Sequence, residues 1–328
     1  MAETASHIAG SDDPACLRDA APGKAERSDG GLPVRGLVLL AMLAVFWGLN
    51  WPAMRVALTV VPVWDYRLIG VLVGGLSVLA IARLGGASLR VPRQQVGPLL
   101  LCSLFNIVGW KILTGYGLTL MEAGRSAIIG YTMPLWATLF STLLVKEPLT
   151  LLMTAGLTFG LVGLAILLGG DLASMTAAPL GAIFILLAAL SWGFGVALLK
   201  RFRWTVSSAT LAGWQLVTAS PMILLGRWLF AGDAGWGDAW SHAQIVAFAY
   251  SVTIPMSFCF WAWYETVRLF PASVAAIGTR AIPMVGGFSG ALLLGEPVGW
   301  RELTALLLVI GGLASVLLLP SLLGRRSR

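Results

Sequence analysis

Between residues 36 and 319 the sequence returns again and again to apolar runs, broken by short polar stretches that carry Gly or Pro. Each run is about twenty residues long, the length that lets a helix cross a bilayer core of about 30 Å. Lipid offers no water to backbone N–H and C=O groups, so each run must satisfy them within itself, and a helix does so. Composition agrees, with 58% hydrophobic and only 11% charged residues, where a soluble domain carries about 25% charged. The expected fold class is an all-α integral membrane protein. Ten transmembrane helices are predicted, at 36–57, 64–84, 96–116, 123–144, 149–169, 179–200, 208–230, 243–266, 272–294 and 301–320.

Several chemistries have no support in this sequence. Cys16, Cys102 and Cys259 are too few and too scattered for a disulfide framework or a zinc site. His7 and His242 fall in a tail and a loop, so a histidine metal site or general base within the membrane is not expected. No Gly-x-Ser-x-Gly occurs, and no two carboxylates sit at mid-membrane, which leaves an enzyme without its groups. No catalytic residue, metal or cofactor is therefore expected.

The pI of 9.8 follows from topology rather than from nucleic-acid binding. Residues 1–34 lack an apolar core and read as a disordered cytoplasmic tail, not a signal peptide. Ten spans put both termini on one side. Most of the 22 Lys and Arg fall in the tail, in loops on that side and in the basic C-terminal residues 321–328. Arg227 and Arg301 stand as plain outer charges. The positive-inside rule then makes both termini cytoplasmic. The expected partners are a small-molecule substrate and the lipid bilayer, with no nucleic acid; the oligomeric state is open, and a monomer is compatible.

The second half repeats the first. Trp47-Gly48 and Arg55 match Trp192-Gly193 and Lys200 at an offset of 145 (193 − 48). Ala127-Ile128 matches Ala276-Ile277, and Gly163-Leu164 matches Gly312-Leu313, at an offset of 149 (312 − 163). Pro134 with Glu147-Pro148 matches Pro283 with Glu296-Pro297 at the same offset (283 − 134). Each repeat, 35–170 and 178–320, holds five helices. Five is odd, so the second repeat enters the membrane from the opposite side, an inverted-topology pair of the kind transporters use for alternating access around a midplane site.

Trp47-Gly48-Leu49-Asn50, Trp192-Gly193, Arg67 and the two Pro…Glu-Pro marks together resemble the ten-helix drug/metabolite transporters built from two EamA-type domains. The resemblance covers 36–320. It implies a bacterial inner-membrane exporter or permease for small metabolites, with amino acids a common substrate class. It also implies a central cavity lined mainly by the first, third, fourth, sixth, eighth and ninth helices. Within the family the sequence is most similar to the aromatic amino acid exporters. A flippase for a lipid-linked or amphipathic carrier, or a multidrug efflux protein, is the alternative.

Individual residues sharpen these expectations. Trp47, Asn50, Trp51, Asn106, Trp110, Tyr131 and Trp192 lie deep in their runs, and Tyr250, Ser257, Trp261 and Tyr264 form a polar-aromatic stripe at helical spacing. They are candidate cavity residues, although packing serves any single Trp equally well. Pro134 and Pro283 are expected to kink their helices, toward a cavity or for packing alone. Arg280, one turn before Pro283, is expected either to hold a substrate carboxylate or to pair with Glu265.

Other residues read as structural. Glu147-Pro148 and Glu296-Pro297 are each expected to open a helix. Arg55 and Lys200 should complement helix C-termini and reach the headgroups. Arg67 should pair locally with Asp65, and Glu122, Arg125 and Lys111 should form an outer network, with Lys111 a candidate for an exit path. Trp64, Trp228, Trp236, Trp240 and Trp300 read as interface belt. The Gly-x3-Gly pairs at Gly70, Gly156 and Gly286 read as close helix packing. With no acid deep in a predicted helix, a facilitator or exchanger is expected rather than a proton antiporter.

Overall fold

The computed structural model describes residues 34–146, 151–174, 178–232, 235–269 and 281–317. Glu147, Pro148, Ala276, Ile277, Arg280, both tails and the side chain of Tyr264 lie outside the described residues. In chain order the helices are α1 (Val34–Ala57), α2 (Val63–Leu84) and α3, itself made of Arg93–Ser103, a π-helical turn Leu104–Gly109 and Trp110–Leu120. Next come α4, broken into Ala123–Gly130 and Met133–Val145, then α5 (Leu151–Ser174), α6 (Ala178–Arg201) and α7 (Ser208–Phe230). Then α8 runs through His242–Thr253, a π-helical turn Ile254–Phe258 and Cys259–Leu269, followed by α9 (Ala281–Leu294) and α10 (Trp300–Leu317). Among the described residues α1 to α4 and α6 to α8 are seven helices long and apolar enough to span a membrane.

Packing pairs helices that are distant in sequence. α10 lies along α5, α2 along α7, the second part of α4 along α6, and α1 along α9 and α8. The core fills with Trp51, Leu118, Ile129, Leu135, Leu167 and Ile185, all nearly inaccessible. Outside, Leu76, Leu143, Leu225, Leu292 and Leu307 remain at least 56% exposed. A surface of that kind is costly in water and suited to lipid.

Small residues set the closest approaches. A methyl group added at Gly193 would lie 2.7 Å from the backbone nitrogen of Ala137, and one at Gly195 would lie 2.8 Å from that of Asn106. Gly48 meets Val285 as closely. Gly74 abuts Met256, whereas nothing lies within 4 Å of a methyl group at Gly70, so the first position of that expected packing pair, although buried, does not require a glycine.

Both π turns have an identifiable support. A π turn closes i→i+5 and leaves irregular carbonyls that need donors. The Ser191 hydroxyl donates to the Phe105 carbonyl at 2.7 Å, and Trp47 Nε1 donates to the Pro255 carbonyl at 3.2 Å. Ser191→Ala should therefore cost about 1 kcal/mol in thermal unfolding, the usual value of one such bond; no change in melting temperature would mean that the π turn holds itself.

Several ionic expectations are corrected. Arg67 does not pair with Asp65: side chains two apart on a helix point to different faces, and Asp65 instead accepts from Arg227 Nε and from Trp236 Nε1, 3.0 Å away. Arg227 is thus not a plain outer charge. Arg55 does not simply reach for headgroups; its Nη1 donates to the Leu118 carbonyl at 3.1 Å, and its Nε sits 3.7 Å from Glu296. Arg125 pairs with Glu302 at 3.3 Å and Glu122 at 3.9 Å, but Lys111 is not in that network. Trp64 is not in an interface belt: it is buried, with Nε1 donating to the Tyr116 hydroxyl at 2.8 Å. Trp228 and Trp300 do remain exposed.

Glu296-Pro297 does not open α10, which begins at Trp300. Gly295, at φ 68°, ends α9 in the left-handed conformation that favours glycine. Lys146 ends α4 in the same conformation at φ 61°. The chain after Gly295 turns Glu296 away from its own helix and onto the N-terminus of α4, where its carboxylate accepts from the backbone N–H groups of Ala123 (2.7 Å) and Gly124 (2.8 Å).

Candidate functional site

A cavity of about 470 Å³ lies among the middles of the helices. From α1 come Trp47, Asn50, Trp51 and Met54, whose i, i+3, i+4, i+7 spacing defines one helical face. From α3 come Asn106, Trp110, Lys111 and Thr114, and from the break in α4 come Tyr131, Met133 and Pro134. α6 gives Trp192, α7 gives Gln215 and Leu216, α8 gives Pro255, Met256, Phe260 and Trp263, and α9 gives Ile282. α2 contributes Arg67. The six helices expected at the cavity are all present, and α2 and α7 join them.

Aromatic rings interlock along the wall. Trp51 meets Trp110 edge-on at 6.4 Å and Tyr131 at 6.3 Å, while Trp47 meets Phe260 edge-on at 6.1 Å. Asn106 Nδ2 donates to the Trp192 carbonyl at 3.2 Å, tying α3 to α6. The break at Tyr131-Thr132 places Pro134 second in the next helical segment, where its missing N–H costs no hydrogen bond.

Of the sequence candidates, Trp47, Asn50, Trp51, Asn106, Trp110, Tyr131 and Trp192 are brought together around this space, with Pro134. Tyr250, Ser257 and Trp261 are not among its lining residues. The Tyr250 hydroxyl donates to the Phe46 carbonyl at 2.8 Å, Ser257 bonds Ser77 at 2.8 Å, and Trp261 packs on Phe258. The π turn is the reason: an α-helical period carried from Tyr250 through Ile254–Phe258 loses its phase. Met256, Phe260 and Trp263, each one position before the expected stripe, face the cavity instead. Pro283 is buried near the start of α9, and Arg280 lies outside the described residues.

Sequence reasoning misplaced Arg67, and of the two readings of Lys111 the outer network is the one that the structure does not bring together. Arg67 is only 3% exposed, with Nη2 donating to Thr114 Oγ1 at 3.0 Å and Nη1 at 3.3 Å from Met54 Sδ. Lys111 Nζ lies 3.2 Å from Met256 Sδ. Arg67 Nε, Asn50 Oδ1 and Gln215 Oε1 are buried polar atoms without a partner among the described residues. No carboxylate of the described residues lines the cavity. Two signals could have found Arg67: its two-residue spacing from Asp65, which bars a helical pair, and the cost of an ionisable group within an apolar run.

Comparison with known proteins gives these features a context. The model of the EamA-like transporter family matches twice, over residues 34–169 and 179–318. The transporter YoaV of Bacillus subtilis is 24% identical over 279 residues, 84% of this chain and 95% of that protein. A probable amino-acid metabolite efflux pump of Salmonella typhimurium is 28% identical over 310 residues, 84% of this chain and 92% of that one. A solved crystal structure shares the fold with a TM-score of 0.60 and 20% identity, over 90% of this chain and 100% of its own. Matched by the family model along both halves, this chain is a member of the EamA-like transporter family, within the drug/metabolite transporter superfamily.

Proposed function

We propose that the protein moves small metabolites across a bacterial inner membrane by alternating access, as a facilitator or exchanger, with amino acids and their aromatic derivatives as the substrate class. The observation that carries this reading is the cavity of about 470 Å³ among the helix middles, walled by aromatic rings with a few polar groups, as suits a small, partly apolar solute. The Salmonella relative named a probable amino-acid metabolite efflux pump supports the substrate class.

Alternating access needs two halves that can exchange roles. The proposed halves are 35–170 and 178–320, ten crossings in all, with tails 1–34 and 321–328 both cytoplasmic. Matched contacts support the arrangement. Gly48 packs on Val285, and Gly193 packs on Trp136, so that the first partners differ by 145 (193 − 48) and the second by 149 (285 − 136). The π turns fall in the third helix of each proposed half, at Leu104–Gly109 and Ile254–Phe258.

Counterflow in proteoliposomes tests the reading. Vesicles preloaded with an unlabelled aromatic amino acid or its derivative should accumulate the labelled form transiently and saturably, only when the protein is present. Flux confined to a lipid-linked reporter would replace this reading with the flippase one.

A further inference from the structure

We propose that Arg67 and Lys111 together seat a carboxylate in the cavity, and that the site selects aromatic carboxylates without an ammonium group over zwitterionic amino acids. The ligands meant are 2-oxo acids and N-acylated amino acids. The inference rests on the cavity being the substrate site proposed above.

The charge inventory points this way. Two cationic side chains line one space, and no carboxylate of the described residues lines it with them. Like charges in a medium of low dielectric raise each other's cost, and neither can be left uncompensated cheaply. Their present partners are weak: the sulfurs of Met54 and Met256 are poor acceptors, and Thr114 is a neutral hydroxyl. A ligand carboxylate would relieve both cations at once.

The hydrogen-bond inventory gives the same answer in finer detail. Both Nη atoms of Arg67 are engaged, while its buried Nε–H has no partner among the described residues. With two of its five N–H donors engaged, the guanidinium keeps three, Nε–H among them, and these with the remaining donors of the Lys111 ammonium can meet a ligand's two oxygens. The unpartnered Asn50 Oδ1 and Gln215 Oε1 can each accept one neutral N–H or O–H, such as an amide or an indole. Neither carries the full negative charge that an ammonium lacking water would need. An ammonium beside the bound carboxylate would also face both protein cations. An aromatic body fits against Trp51 and Trp110, whose rings meet on the same wall as Lys111.

Equilibrium binding of labelled phenylpyruvate to the full-length protein in detergent, followed by competition, tests this without any variant. Phenylpyruvate and N-acetylphenylalanine should bind on the order of tenfold more tightly than phenylalanine, the scale of one uncompensated charge contact, and phenylalanine amide should not compete. Lys111→Gln should weaken phenylpyruvate by on the order of tenfold, and Lys111→Arg should restore most of it. Phenylalanine binding as tightly as phenylpyruvate, no phenylpyruvate binding at millimolar concentration, or an unchanged affinity in Lys111→Gln would each overturn the proposal. Counterflow with the same ligands separates the two readings. Amino acid exchange with no anion preference sinks this inference and leaves transport standing, whereas anion binding without any exchange sinks transport and leaves the seat.

Discussion

Replacing Glu296 with alanine should destabilise the folded protein by about 3 kcal/mol, the scale of losing a buried carboxylate that bonds two backbone donors. The first N–H groups of any helix lack intrahelical partners, and at the start of α4 the local residue Glu122 makes no side-chain cap. Glu296 supplies it from 173 residues away, with one oxygen on each of the Ala123 and Gly124 N–H groups. Its charge also sits at the positive end of the α4 dipole and near Arg55. The side chain is only 9% exposed, so water cannot replace it. Glu296→Gln keeps one accepting oxygen but turns an amide NH2 toward a donor, and should cost about half as much. Thermal unfolding in detergent, followed by circular dichroism, reads both. An alanine variant within about 0.5 kcal/mol of the parent, the range of an ordinary surface change, would mean that water already caps α4.

Gly193→Val should be as damaging, at about 3 kcal/mol or more, at the upper end of overpacking costs. Any Cβ there would lie 2.7 Å from the Ala137 nitrogen and 2.9 Å from the Trp136 carbonyl carbon. Backbone cannot swing aside as the end of a long side chain can, so α6 and α4 would have to separate, disturbing Trp192 where it faces the cavity. Gly70→Ala is the control: a methyl group there meets nothing, and removing a mid-helix glycine should stabilise by up to about 1 kcal/mol. Equal melting temperatures for the two variants would show that the crossing is looser than its contacts imply.

How the chain reads in one dimension follows from the reach of each force. Backbone hydrogen bonding in lipid is satisfied within a helix, and so the apolar runs carry the helices in their own residues; the bounds of α1, α2, α6 and α7 lie within about two residues of the expected ones, the usual ambiguity of helix ends. The interruption at Pro134 was legible because proline lacks an N–H wherever it stands. The deep aromatics of α1 and α3 were legible because a regular helix keeps its period. In α8 that regularity failed. The π turn at Ile254–Phe258 holds Pro255 near its start, whose missing N–H marks an irregularity in the sequence itself, but the donor its carbonyl finds, Trp47 of another helix, is recorded in no local pattern.

Charges were the least legible. Asp65 finds Arg227, 162 residues away, rather than Arg67, two away, because helical geometry sends neighbours to different faces and packing brings distant ones together. The sequence by itself determined that this chain is a bundle of membrane helices with matching marks in its two halves, since those properties depend on local composition and backbone chemistry. Only the tertiary structure decided that Glu296 caps α4 and that Arg67 and Lys111 turn into one cavity without a carboxylate among the described residues, because in a low-dielectric interior a charge is placed by whatever partner packing brings within a few ångströms.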